Sequence, residues 1–388
     1  MFKIKLMNDI SDVIYKELDA KNYLVSKDVE DPDAIIVRSA DLHSMEFNPS
    51  LKAISRAGAG TNNIPIDACS KAGIAVFNTP GANSNAVAEL VICAILLTSR
   101  NVVEAIDWVK SLEGEADVAK KVESGKKAFV GPETMGKKLA VIGLGATGIN
   151  VANHAVKGLR MNVVGYDPYI SVTNALKLST SVKLVKEIAE AVEGADYITC
   201  HIPLSKKTEN MFNKELFKFF KDGAYLYNFS RAELVNINDV KEALESKKIK
   251  KYVTDFPTDE SVGVPGIINI PHLGASTPES EENCAEMASK ELKEFLEFGQ
   301  IQNSVNLPDV SFKFEEGLVL MIIHANVPNM VNSISAEISA CKVNISSMIN
   351  QSKKDMAVTV VDIENCACDN LQDRISKIEN VYKVIRIK

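Results

Sequence analysis

The chain has 388 residues, 46% of them hydrophobic and 24% charged, with a net charge of −7. That length exceeds one ordinary core, so two or three domains are expected, and the composition makes no case for disorder. The acidic balance argues against a nucleic-acid partner, which would need concentrated positive charge.

From the amino terminus, short apolar runs predict strands at 2–6, 34–37, 53–55 and 75–77, with helical patterns at 12–18 and 66–71 between them. This rhythm predicts a parallel sheet with helices on both faces. Segment 85–110 follows. Its apolar run AVAELVICAILLT falls short of the roughly 20 residues of a membrane span and is flanked by Asn, Arg and Glu, so it reads as a buried helix between domains. A second series then appears as LAVIGLG, NVVGYD, YITCHI, AYLYNF, YVTDF and IINIPH, the six strands of a doubly wound nucleotide domain. From residue 317 the pattern changes to LVLMIIHA, a helix at 332–340, VNISSMINQ, MAVTVVDIE, a helix near 371–378 and VYKVIRI. This β-α-β-β-α-β order is ferredoxin-like, and its two most apolar strands, LVLMIIHA and MAVTVVDIE, are expected at sheet edges in need of cover.

Gly143, Gly145 and Gly148 follow a hydrophobic strand and open a helix, and Asp167 ends the next strand. In that setting Gly143 permits the tight turn, Gly145 lets the backbone approach a pyrophosphate, and Gly148 lets helix and strand pack closely. The helix amino terminus then meets the phosphates. Asp167 would accept from the ribose hydroxyls and repel a 2′-phosphate, which favours NAD over NADP.

The motifs RAGAGTNNI (56–64), NSNAVAEL (83–90), VIGLGATG (141–148), HIPL (201–204), NFSR (228–231) and PHLGASTPES (271–280) occur here in one order. As a set they resemble the D-isomer-specific 2-hydroxyacid dehydrogenase family, and the carboxy-terminal part resembles an ACT domain. The resemblance implies a discontinuous substrate domain at 1–97 and 277–306, an inserted NAD-binding Rossmann domain at 98–276 and an ACT-like regulatory domain at 317–388. This explains why the glycine loop comes late in the chain. It also implies NAD as cofactor, held by the glycines with Ala146, Thr147, Ile149, Asp167, His201, Ile202, Pro203, Thr208, Asn228, Asp255, His272 and Gly274, with the active site expected in the cleft between lobes.

Removing a hydride from a secondary alcohol needs a base for the hydroxyl proton, a cation for the neighbouring carboxylate and a group that tunes the base. His272 suits the first role and Arg231 the second. The third falls in Asp255-Phe256-Pro257-Thr258-Asp259-Glu260-Ser261, which departs from the family's D-V-F-x-x-E-P. Anchored on Asp255, the catalytic acid is Glu260; anchored on Phe-Pro-Thr, it is Asp259. Glu260 is favoured for its longer reach.

A substrate bearing both carboxylate and phosphate needs further cations, which Arg38 with Ser39, and Arg56, would supply. The backbone amides of residues 57–60 would add donors, since glycine allows close approach, and the resemblance adds Asn83 with Ala57 and Gly58. It implies NAD-dependent oxidation of 3-phospho-D-glycerate, with another D-2-hydroxy acid such as D-lactate or glycerate as the alternative. A sensor that binds NAD without catalysis is a third reading, against which the Arg231, Glu260 and His272 set speaks. In the ACT-like part, His324, Asn326 and Asn344 fit the positions of an L-serine effector site, although Asn329 stands where a glycine is usual. A purely structural pairing module is the alternative. A homo-oligomer, dimer or tetramer, is expected. Neither a membrane partner nor a metal is expected. The seven cysteines, with only Cys366 and Cys368 close together, read as reduced thiols of a cytoplasmic protein.

Overall fold

In a computed structural model, which describes residues 1–313, 317–364 and 370–387, the first sheet holds β1 (Phe2–Leu6), β2 (Tyr23–Ser26), β3 (Ala34–Val37), β4 (Ala53–Arg56) and β5 (Ala75–Asn78). All pairings are parallel, in the order β2-β1-β3-β4-β5. All four residues of β3 are buried, as a central strand covered on both faces requires. Sequence reading missed β2, a short edge strand whose Leu24 is exposed. The expected helix at 12–18 is one short 3-10 turn, Asp12–Lys16, capped by Ser11. The long helix Pro278–Phe298 returns the chain to this sheet, with Phe295 set edge-on to Phe77 at 5.5 Å between ring centres.

The second sheet contains β6 (Lys138–Ile142), β7 (Asn162–Tyr166), β8 (Lys183–Val185), β9 (Tyr197–Cys200), β10 (Ala224–Asn228), β11 (Ile249–Thr254) and β12 (Ile267–Asn269). It is parallel throughout, in the order β12-β11-β10-β9-β6-β7-β8, so the winding reverses between β6 and β9. The extra strand β8 is a three-residue edge with Leu184 exposed, too little to register as a periodic signal. Contacts divide the chain into one unit of 1–82 with 278–388 and another of 83–277. The expected boundary at 97 thus falls inside helix Ser84–Ser99, which packs on helix Ala146–Lys157. Its end is fastened by Thr98 Oγ1 to the Tyr227 hydroxyl at 2.6 Å and by Ser99 Oγ to that of Tyr197 at 2.9 Å. Segment 85–110 is two helices rather than one, Ser84–Ser99 and Val102–Lys110, bent by 63° at Asn101, whose φ is +49°. Among the described residues no single helix is long and apolar enough to cross a membrane.

The third sheet, within the first unit, is antiparallel: β13 (Leu318–Ala325), β14 (Ile345–Lys353), β15 (Met356–Ile363) and β16 (Val381–Arg386), in the order β14-β15-β13-β16. This corrects the expectation for LVLMIIHA and MAVTVVDIE, which are the two central strands. Their continuous apolar run reflects burial on both faces. Val319, Met321, Ile323, Val358 and Val360 enter the same core as Phe77 and Phe295. Leu320, Ile322, Val361 and Ile363 pack instead against Ile334 and Ile338 of helix Met330–Ala340 and Leu371 and Ile375 of helix Leu371–Ser376. Lys383 Nζ donates to the Pro49 carbonyl at 3.2 Å, and Lys353 Nζ to that of Ser304 at 2.6 Å, so the module is also fastened at its rim.

The cysteine expectation needs one correction. Cys69, Cys93, Cys200 and Cys284 are free thiols, but Cys341 is disulfide-bonded, because spacing along the chain does not reveal which sulfurs meet in space. Cys366 and Cys368 lie outside the described residues.

Candidate active site

The glycine loop leaves β6 at the switch point. Gly143 has φ +94°, and a Cβ there would lie 2.5 Å from the His201 carbonyl oxygen, so the turn admits no side chain. A Cβ on Gly148 would meet the Gly143 oxygen at 1.9 Å, which is the close helix-strand approach expected of it. Beside Gly145, by contrast, nothing lies within 4 Å. Helix Ala146–Lys157 begins there, with Ala146, Thr147 and Gly148 in its first turn and Ile149 buried beneath. At the lip, Asp167 Oδ2 accepts from Leu144 N and Oδ1 from Tyr169 N, both at 2.8 Å, which fixes the carboxylate next to the loop.

After β9, His201 reaches Thr199 Oγ1 through Nε2 at 2.9 Å, and burial pushes its pKa down to about 3, so the ring is neutral. Thr208 ties the following turn together, its Oγ1 donating to the Pro203 carbonyl at 2.7 Å and accepting from Ser205 N at 2.8 Å. Ile202 and Pro203 therefore lie in a braced loop beside the glycines. Open space over Gly145, a helix amino terminus and a pinned acid fit a dinucleotide.

The reacting end is built from three neighbouring strand ends. At the end of β10, buried Asn228 donates through Nδ2 to the Arg231 carbonyl at 2.7 Å and accepts from Ser230 N at 3.1 Å, which shapes the turn carrying Arg231. The Arg231 guanidinium lies 5.7 Å from the centre of the Phe256 ring, and that ring lies 4.6 Å from the His272 imidazole. Beyond β12, His272 takes φ +34°, a strained setting for a side chain of its size, and its N–H donates to the carbonyls of Asp255 and Ile270, both at 3.0 Å. The ring itself is exposed.

Asp255, beyond β11, is 1% exposed. Its Oδ2 accepts from Gly274 N at 3.1 Å, while buried Oδ1 has no hydrogen-bond partner. Burial raises its pKa; the Gly274 N–H and the charges of His272 and Arg231 oppose that rise. The unpartnered oxygen is also a ready acceptor for a cofactor amide.

Neither Glu260 nor Asp259 is brought to His272. Both are exposed in the turn after Phe256 and line a recess of about 370 Å³ with Glu233 and Tyr252, and no hydrogen bond or ion pair joins either to the imidazole. Sequence offsets could not settle this, because the loop curls back on itself through Ser261 Oγ, which donates to the Thr258 carbonyl and Asn269 Oδ1.

The remaining substrate-binding expectations divide between the two units. Arg38 and Ser39 follow β3, Arg56 ends β4 and Ala57 and Gly58 come after it, all in the first, whereas Asn83 opens helix Ser84–Ser99 in the second. Arg38 is ion-paired to Glu281 at 2.7 Å. The Ala57 and Gly58 amides are already committed, to the carbonyls of Val37 and Arg56 at 2.8 Å each, so the expectation of main-chain donors in 57–60 narrows to Ala59 and Gly60. Two asparagines that the sequence did not flag, Asn8 and Asn63, organise this end. Asn8 Oδ1 accepts from the amides of Arg38, Ser39 and Ala40 at 2.9, 3.1 and 3.2 Å.

In the carboxy-terminal module, buried His324 has both ring nitrogens engaged, Nδ1 at the Ala325 carbonyl and Nε2 at Thr359 Oγ1, each at 2.8 Å. Asn326 Nδ2 donates to the Lys354 carbonyl at 2.9 Å. Asn344 lies at the opposite end of the sheet: its carbonyl accepts from Glu364 N, next to Ile363, which pairs with Leu318 at the start of β13, whereas His324 ends that strand. One chain therefore does not bring the three together. Asn329 adopts φ +73°, keeping the backbone of the usual glycine while adding a side chain.

Residues 92–277 match the family model described as D-isomer specific 2-hydroxyacid dehydrogenase, NAD binding domain. A protein of Methanocaldococcus jannaschii named D-3-phosphoglycerate dehydrogenase is 34% identical over 316 residues, 79% of this chain, which spans 58% of that relative's length. One of Haemophilus influenzae with the same name is 32% identical over 352 residues, 87% of this chain and 82% of its own. The NAD⁺-bound 3-phosphoglycerate dehydrogenase of Entamoeba histolytica superposes with a TM-score of 0.59 at 26% identity, covering 79% of this chain and 98% of the other.

Proposed function

The chain belongs to the D-isomer specific 2-hydroxyacid dehydrogenase family, and we propose that it oxidises 3-phospho-D-glycerate to 3-phosphohydroxypyruvate with NAD, the first oxidation on the phosphorylated route to serine. The observation that carries this reading is the convergence of Arg231, Asp255 and His272 at the ends of three adjacent strands, beside the glycine loop. Arg231 is the planar cation for the substrate carboxylate, stacked on Phe256 so that little freedom is lost on binding. His272 takes the C2 hydroxyl proton as the carbonyl forms. Asp255, rather than Glu260 or Asp259, is assigned the stabilisation of the resulting imidazolium. Bound over Gly145 and against Asp167, the nicotinamide cofactor supplies the hydride acceptor. Arg38 and Arg56 are assigned to the phosphate.

The test is NADH formation from NAD and 3-phosphoglycerate by the purified chain. Turnover should fall by about 10² or more in His272→Ala and Arg231→Ala while NAD binding survives. Tight NAD binding without turnover would replace this reading with a sensor.

Serine control belongs to the same proposal. Because His324 and Asn326 stand at one end of the sheet and Asn344 at the other, an L-serine bound by all three requires a homo-oligomer in which two modules meet. Asn344→Ala should weaken serine inhibition without changing the KM for substrate; if millimolar serine does not inhibit the intact protein, the module serves assembly only.

A further inference from the structure

We propose that Asn63 is the positioning residue that makes a single phosphate-reading site of Arg38 and Arg56, an inference that rests on the phosphoglycerate reading above. Val37 and Arg56 are partners across β3 and β4, so the two arginines leave neighbouring strand ends. The Asn63 carboxamide spans them. Its Oδ1 accepts from Arg56 Nε at 3.0 Å, and its Nδ2 donates to the Ala40 carbonyl at 2.8 Å and to that of Arg38 at 3.4 Å. Both charges also oppose the rise that burial causes in the pKa of the Cys284 thiol, so both arginines lie near it.

Each arginine is further confined. The loop of Arg38 is held by Asn8, two residues after β1, and the Arg56 guanidinium occupies the space a side chain at residue 58 would need, Nη1 lying 2.4 Å from where a Cβ would stand. Arg38 meanwhile carries a resident counter-ion, Glu281, which an incoming dianion can displace. A guanidinium held in place before binding gives up less conformational freedom on meeting a phosphate than one that must be ordered by it. The Asn63 carboxamide is hydrogen-bonded to Arg56 and to the carbonyls of Arg38 and Ala40, so its effect is assigned to phosphate recognition.

The experiment compares kcat and KM for 3-phosphoglycerate and for D-glycerate, which lacks the phosphate. In Asn63→Ala, KM for 3-phosphoglycerate should rise about tenfold or more, the equivalent of losing roughly 1.4 kcal/mol, with kcat within about twofold and the D-glycerate KM unchanged. Gly58→Ala, which displaces the Arg56 guanidinium without touching Asn63, should give the same selective rise and serves if Asn63→Ala does not fold. Equal rises for both substrates, or none, in a folded variant overturn the role of Asn63. If Arg38→Ala and Arg56→Ala raise KM and Asn63→Ala does not, only this inference fails. A wild-type chain that leaves 3-phosphoglycerate unoxidised overturns the functional reading and this inference with it.

Discussion

Asp255 meets His272 twice over: its carbonyl accepts the histidine's main-chain N–H at 3.0 Å, and the histidine's charge opposes the rise that burial causes in the pKa of its carboxyl. Backbone strain at His272 and charge at Asp255 are thus joined in one corner of the sheet, and the first expectation concerns that charge.

A buried negative charge favours an imidazolium forming beside it, so losing that charge slows proton transfer to the ring. Asp255→Asn should therefore lower kcat for 3-phosphoglycerate oxidation by about 10² or more. Glu260→Gln and Asp259→Asn, altering exposed carboxylates with no bond to the ring, should leave kcat nearly unchanged. A comparable loss in Glu260→Gln alone would restore the family's usual assignment.

Asp167 accepts from Leu144 N as well as facing the cofactor loop. Asp167→Ala should raise the KM for NAD and narrow the preference over NADP by removing both an acceptor and a repulsive charge. Steady-state kinetics with each cofactor measure this; equal use of both by wild type would remove Asp167 from that role.

Much of this was legible in the sequence, and the exceptions have physical causes. The glycine loop and the strand ends that carry Arg231 and His272 have local patterns, so reading along the chain placed them on the sheet. Strands β2 and β8 escaped because short, partly exposed edges bury too little to print a periodicity. The choice between Glu260 and Asp259 could not be made along the chain, because a side chain's reach is set by how a loop closes, here through Ser261, and not by counting residues. Asn8 and Asn63 work through contacts 30 and 23 residues away in sequence, and polar loop residues of that kind carry no local signature.

Glu291 gives a test of the first unit's core. Burial pushes its carboxyl from 4.5 up to about 8; Asn303 Nδ2 donates to Oε1 at 2.9 Å and Oε2 has no hydrogen-bond partner. The folded state thus binds a proton that the unfolded chain releases. The associated stability is fully present below about 4.5 and is lost as pH rises through about 8, at up to about 1.4 kcal/mol per pH unit. Denaturant melts of Glu291→Gln should show a shallower loss of stability across that window and a more stable protein at its upper end. Parallel curves for the two proteins would mean that Glu291 is ionised in the fold.

The central claim is that the chain uses NAD as hydride acceptor, and an acid-base pair in the second unit as proton acceptor, to oxidise a phosphorylated D-2-hydroxy acid. Its most direct test is the kcat/KM for NADH formation from 3-phosphoglycerate beside those from D-glycerate and D-lactate. The account predicts the largest value for 3-phosphoglycerate, with the margin reduced in Arg38→Ala and Arg56→Ala. A larger value for D-lactate or D-glycerate would contradict the claim.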